Sequence, residues 1–307
     1  MCDREMYEVH TTQEGLRKKK MQLLRQVIPV VMLSFVVSSM LAVGLSLTVG
    51  QIIAPLRNVR LVVLALIANF VLMPLSALAI AKLLRLDEPL GIAFYLLGAA
   101  AGAPFLPKLA SLAKGSLAFA VGLMVLLMVL TVAYMPLVLP LLLEGVSVDP
   151  MKIARSLVLL MLLPLAVGLS LKAYVSNIAD KLRTPLNKLS SLSLTVLIVL
   201  LLLTNVRNVI DLFGTRGILA SILFLVCGVA IGWFLGGPGS DTKGVLSLGT
   251  AQRNIAAALV VAGQNFKDPK VLVMVVVVAV VGLVILMPLA RMLGSRSAVQ
   301  EAQRAAT

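Results

Sequence analysis

Charged side chains are scarce in this chain. They make up 13% of its 307 residues, about half the share usual in a soluble domain, while 60% of residues are hydrophobic and the mean hydropathy is +1.05. A globule of this size cannot bury so much apolar surface, so lipid must be the solvent for much of the chain. Histidine is represented by His10 alone, which leaves histidine-based catalysis little to work with. Cys2 sits near the terminus and Cys227 inside an apolar run, so neither a disulfide, a metal set nor a redox pair follows from them. Aromatic residues are only 5%. Asp87, Asp149, Asp211 and Asp241 all fall between apolar runs, so the paired aspartates of an intramembrane enzyme are missing. The net charge of +14 comes from Lys and Arg clustered in short gaps between those runs. That placement suits lipid head groups at a membrane face and argues against a nucleic-acid partner.

What the sequence has instead is long apolar stretches. Residues 1 to 26 form a polar leader ending in Arg17-Lys18-Lys19-Lys20 and Arg25. The run from Val27 to about Leu56 is too long for the core of a signal peptide, about 7–15 residues, and reads as a retained membrane helix. A spanning helix needs about 20 apolar residues, and by that measure further spans run near 58–83, 89–113, 117–143, 153–175, 187–206, 216–236, 244–264 and 271–291. Turn or charge signals separate them, at Pro55 with Arg57 and Arg60, Arg85 to Pro89, Lys114-Gly115, Glu144 to Pro150, Arg183 to Lys188, Asp211 to Arg216, Gly236 to Lys243 and Lys267 to Lys270. The expected fold is an all-α polytopic membrane protein of about nine transmembrane helices, in one membrane domain over 27–295 with a polar tail over 296–307. With nine spans, Lys172, Lys181, Arg183, Lys188, Arg291, Arg296 and Arg304 fall on one side and the basic leader on the other, so the positive-inside rule is split.

Two of the spans are interrupted. In the first half, Gly98, Gly102, Pro104 and Pro107 lie within Gly98-Ala99-Ala100-Ala101-Gly102-Ala103-Pro104-Phe105-Leu106-Pro107-Lys108. The prolines remove backbone donors, and the small residues let other backbones approach. In the second half, Gly249-Thr250-Ala251-Gln252-Arg253-Asn254 places an arginine and two amides at membrane depth. Such an arginine needs a cavity or a partner. Each interrupted segment occupies the span before the last of its half, and paired broken segments of this kind point to a transporter's binding site. The small residues and prolines also have a plain reading as helix packing and kinks. Asn69, five residues before Pro74, suits either freed carbonyls or a cavity, whereas Ser76, Thr131 and Thr195 read as hydroxyls bonded to their own helices.

The stretch from Met40 to Gly115 resembles the bile acid:sodium symporter family. The residues that carry the likeness are Met40-Leu41-Ala42-Val43-Gly44-Leu45-Ser46-Leu47-Thr48, Asn69-Phe70-Val71-Leu72-Met73-Pro74-Leu75, the break at 98–107 and Leu112-Ala113-Lys114-Gly115. Leu163-Pro164-Leu165-Ala166-Val167-Gly168-Leu169 and Gly249 to Asn254 continue it in the second half. The resemblance implies two inverted-topology repeats, about 27–145 and 151–295, with two broken helices crossing near the membrane centre between a panel and a core domain. It implies Na⁺ as a coupling ion, held by a glutamate, amides and hydroxyls. Here the glutamate's place falls on Leu248, a Ser-Asn pair on Leu106-Pro107, and two hydroxyl positions on Ala120 and Met124. Asn69 and Gln252 match family glutamines, so one sodium site looks dismantled and the other partial.

These features lead to a secondary transporter of a small organic anion in the cell (inner or plasma) membrane, working by alternating access at the two breaks. Asn69, Thr250, Gln252, Arg253 and Asn254 are the expected substrate- or ion-binding residues, with Gly98, Gly102, Pro104, Pro107 and Gly249 forming the broken-helix crossing. Arg253 is expected either to stand in for a bound sodium or to pair with the anion. No cofactor is expected; Na⁺ coupling, exchange, uniport and proton coupling stay open, as do a channel or sensor and a transporter of inorganic oxyanions such as arsenite. The oligomeric state, the substrate's identity and the direction of transport are not legible.

Overall fold

The computed structural model describes residues 26–53, 57–143, 149–206 and 216–305, with side chains to Ser295. The leader, Pro55, the polar stretch 144–148 and the gap 207–215 lie outside the described residues. Within them the chain is helical throughout. The helices are α1 (Gln26–Ser46), α2 (Val49–Ile53), α3 (Val59–Leu83), α4 (Glu88–Ala99), α5 (Leu106–Leu112), α6 (Leu117–Leu142), α7 (Pro150–Tyr174), α8 (Ser176–Thr204), α9 (Gly217–Leu235), α10 (Ser240–Ala251), α11 (Ile255–Asn265) and α12 (Pro269–Ala305). Eight stretches among the described residues are long and apolar enough to cross a membrane, counting α10 and α11 as one. The shorter α4, continued by α5, makes a further, broken segment. The protein is a multi-pass helical membrane protein.

Several helix starts follow directly from sequence. Asn58 accepts a hydrogen bond from the Leu61 amide at 3.2 Å, Ser116 from Phe119 at 3.3 Å, and Asp149 from Met151 at 2.9 Å. Each satisfies one of the backbone donors left free at a helix N-terminus. Two expectations fail at the ends of elements. The apolar run thought to continue to Leu56 stops being α1 at Ser46, and α2 follows as a separate turn. Arg183 to Lys188, expected as a break, is helical, with Pro185 inside α8. The chain turns at Val175 instead, where Lys172 meets Asp180 at 2.7 Å across the corner. Apolar length marks the part of a helix that lipid covers, while helical hydrogen bonding continues into the polar flank. For the same reason α12 continues past residue 291 to Ala305.

Two prolines reshape their helices. Upstream of Pro74, residues Ala68–Leu72 of α3 widen into a π turn, and upstream of Pro164, residues Val158–Leu162 of α7 do the same. Proline has no N–H to give to the carbonyl four residues before it, so the ladder must shift there. The Met73 amide accordingly donates to the Ala68 carbonyl, which releases the carbonyls of Asn69 and Phe70 for other partners.

Packing is closest along glycine faces. On α9, Gly228 lies against the Ala251 backbone and Gly232 against Ser247, where a Cβ would stand 2.6 and 2.5 Å from the facing Cα atoms. Gly44 of α1 and Gly168 of α7 meet in the same way, a Cβ on Gly44 falling 2.9 Å from the Gly168 Cα. Such contacts bring backbones to the separation that small residues alone permit. Helices α10 and α11 are buried nearly along their whole length, whereas α8 is the most exposed of the long helices. The two broken segments are thus held in the interior.

Candidate functional site

The first break separates α4 from α5 at residues 100–105, and the second separates α10 from α11 at 252–254. They touch: the Asn254 amide donates to the Ala100 carbonyl at 2.9 Å. Gly102 makes the first break possible, since it adopts φ +78°, and a Cβ there would sit 2.7 Å from both the Met124 carbonyl oxygen and the Met128 Cα. Thr131 of α6 holds the adjoining residue by both backbone groups, accepting from the Ala101 amide at 3.0 Å and donating to its carbonyl at 3.1 Å. Thr131 therefore braces the break rather than its own helix, contrary to the sequence reading. In the second break, Asn254 caps α11 through its side-chain oxygen, which accepts from the Ala257 amide at 3.1 Å.

Arg253 is 3% exposed. Its Nε donates to the Leu97 carbonyl at 2.8 Å, Nη2 to the Gly98 carbonyl at 2.8 Å, and Nη1 to Asn69 Oδ1 at 2.8 Å and the Thr250 carbonyl at 3.1 Å. A longer contact of 3.5 Å runs from Nη2 to the Asn69 carbonyl. All five guanidinium N–H groups are thereby directed at protein oxygens. The acceptors follow from the fold. Leu97 and Gly98 are in the last turn of α4 and Thr250 in the last turn of α10, where carbonyls lack the usual partner four residues on, the Leu97 carbonyl taking only the shared Ala100 amide at 3.2 Å, and where the helix dipole is negative. The Asn69 carbonyl is one of the two that the π turn releases, and the Phe70 carbonyl accepts from the Tyr134 hydroxyl. Asn69 Nδ2 completes the link by donating to the Ala65 carbonyl at 3.0 Å and Thr250 Oγ at 3.3 Å.

Beside the breaks lies a cavity of about 370 Å³. Its wall takes in Ala103, Pro104 and Phe105 of the first break, Ile255 and Ala256 at the start of α11, and Gln252 between the half-helices. Ser39 of α1 and Asn187, Ser190 and Thr195 of α8 face it from the other side. Gln252 Oε1 and Asn254 Nδ2 are buried and have no hydrogen-bond partner among the described residues. The half-helix ends differ in charge. The negative C-terminal ends of α4 and α10 are met by Arg253, while the positive N-terminal end of α11 borders the cavity through Ile255 and Ala256.

Of the residues singled out by sequence, Asn69, Thr250, Arg253 and Asn254 converge, with Gly98 supplying a carbonyl. Gln252 and Pro104 line the cavity; Pro107 opens α5 and Gly249 packs on the Leu106 side chain. Thr195 bonds its own helix as expected, donating to the Ser191 carbonyl at 2.9 Å, and it also lines the cavity. Tyr134, Ser39, Asn187 and Ser190 escaped notice, because a lone tyrosine or scattered polar residues in a helix carry no signal beyond ordinary packing. The expected sodium ligands are not there: Leu248, Leu106, Ala120 and Met124 are buried with apolar side chains. Among the described residues, no three His, Cys, Asp or Glu side chains gather. The oxygen-rich spot that remains, around Leu97, Gly98, Thr250 and Asn69, is taken by the guanidinium, so the donor set there does not fit a sodium ion.

The model of the Sodium Bile acid symporter family matches residues 30–212, more than half of the chain. The chain is also similar to the chloroplastic probable sodium/metabolite cotransporter BASS2 of Oryza sativa subsp. japonica. The two are 26% identical over 238 residues, which cover 76% of this chain and 57% of that protein.

Proposed function

The chain belongs to the Sodium Bile acid symporter family, and from that premise we propose that it carries a small organic anion across the cell membrane by alternating access around the two breaks. Membership makes the chain a membrane transporter and not an enzyme. The observation that carries the anion reading is the sorting of half-helix ends. With Arg253 covering the C-terminal ends, the cavity is bordered by the positive N-terminal end of α11 and a buried guanidinium, a setting that favours negative charge. The anion would lie against Gln252, with Ser39, Ser190 and Thr195 opposite. Arg253 acts on the anion through its charge, because its donors are already used.

The two halves are read as inverted repeats, each with a broken helix before its last span, and the cavity separates a body containing the breaks from one containing α1 and α8. Alternating access is movement between those bodies. Secondary transport needs no nucleotide site, and the described residues are membrane helices with short connections.

The test is thermal unfolding of the detergent-purified protein against monocarboxylates, dicarboxylates, sulfonates and bile salts. An anion present at a hundredfold excess over its Kd is expected to raise the melting temperature by about 5 °C or more. Uptake of that anion into proteoliposomes should follow. Silence across the whole panel, in both stabilisation and uptake, would remove the anion reading.

A further inference from the structure

We infer that the Arg253 guanidinium is a tethered cation standing where a mobile coupling ion would otherwise be needed, so that this chain works without sodium. The inference rests on the transporter reading above and concerns its energy source.

Five oxygens surround the guanidinium: the carbonyls of Leu97, Gly98, Thr250 and Asn69, and Asn69 Oδ1. All are neutral, and they come from three segments of the chain. A buried arginine is ordinarily balanced by a carboxylate. Among the described residues the only ion pair is Lys172 with Asp180, and Arg253 has no acidic partner. It is solvated as a free ion would be, by neutral oxygens at the negative ends of two half-helices. Hard neutral oxygens at helix C-termini are the groups that hold alkali ions in broken-helix transporters. A fixed charge there closes the gap between α4, α10 and α3 without any ion entering.

Two consequences follow from the covalent tether. The charge cannot be released on either side of the membrane, so a sodium gradient has nothing to act on at this place. The positive charge beside the cavity is also permanent, so the anion meets it in every conformation. At the positions where the family resemblance would place further ligands stand the buried apolar side chains Leu248, Leu106, Ala120 and Met124. Gln252 lines the cavity, but its unpartnered Oε1 is buried and is one oxygen, far short of a shell for an alkali ion.

The experiment compares the melting temperature of the full-length protein in sodium, potassium, guanidinium and choline chlorides at equal, moderate ionic strength. Wild type is expected to melt at the same temperature, within about 1 °C, in sodium and choline. Arg253→Ala, which leaves the oxygens and adds a void, should melt lower in choline by about 5 °C or more and recover part of the loss in sodium or guanidinium. Arg253→Leu, which fills the space with hydrocarbon, should recover in neither. Sodium-specific stabilisation of the wild type overturns the inference, and so does an Arg253→Ala protein indifferent to every small cation. If Arg253→Ala cannot be purified in any salt, Arg253→Lys decides. Indifference to sodium, as expected for another tethered cation, upholds the inference, and sodium dependence defeats it. A sodium effect on wild type would leave the anion transporter intact as a symporter, whereas an anion panel without hits would leave the sodium result standing.

Discussion

The two breaks interrupt corresponding helices, yet they are built on opposite principles. The first, at 100–105, contains no polar side chain. Its backbone is satisfied from outside, by Thr131 on α6, and its path depends on the left-handed turn at Gly102. The second, at 252–254, consists of Gln252, Arg253 and Asn254. It caps its own helix through Asn254 and then reaches over to serve the first, giving donors to Leu97, Gly98 and Ala100. One break presents acceptors and the other supplies donors. Paired broken helices therefore need not carry equivalent chemistry. Here a steric device and a hydrogen-bonding device complete each other, and the charge sits wholly on one partner.

The first break depends most on Gly102. Gly102→Ala forces a side chain into a left-handed backbone position and against the α6 backbone, and is expected to destabilise the protein by about 4 kcal/mol. Detergent thermal unfolding measures this, and a wild-type melting temperature would mean that sterics do not set the first break. Thr131→Val keeps the volume but strips both backbone groups of Ala101 of their partner, and should lower stability by about 2 kcal/mol in the same measurement. The smallest stability effect belongs to Gln252→Leu, less than about 1 kcal/mol, because Oε1 gives up no hydrogen bond. Its effect should appear in anion affinity, a loss of about tenfold by titrated stabilisation. An unchanged affinity would take Gln252 out of the binding surface.

Much of this arrangement was legible in the sequence, and unevenly so. The breaks announced themselves, because Pro104, Pro107 and the glycines break helical patterning and Arg253 contradicts the hydrocarbon around it. The residues they engage were harder to see. Asn69 and Arg253 are 184 positions apart, and only the folded chain brings them to 2.8 Å. Thr131 looked like an ordinary helix hydroxyl, since nothing local says whether such a group turns to its own carbonyl or across to another segment. Helix lengths were misjudged at α8 and α12, where polar flanks remain helical beyond the lipid. The sequence suggested two roles for Arg253, standing in for a bound sodium or pairing with an anion. The geometry directs its hydrogen bonds to protein oxygens, so on the proposed function an anion would feel only its electric field.

The glycine contacts have a mechanical meaning. Gly228 and Gly232 set α9 on α10 at backbone distance, and Gly44 and Gly168 join α1 to α7 in the same manner. Interlocked backbones cannot slide past one another without collision, so these two pairs behave as welded joints. Between them runs the cavity, faced by short hydroxyls and a single amide on the α1 and α8 side. Stiffness is therefore concentrated in the pairs and compliance in the seam. Any strain applied to the molecule, from bilayer tension or from an occupant larger than the cavity, will open that seam before it deforms either joint.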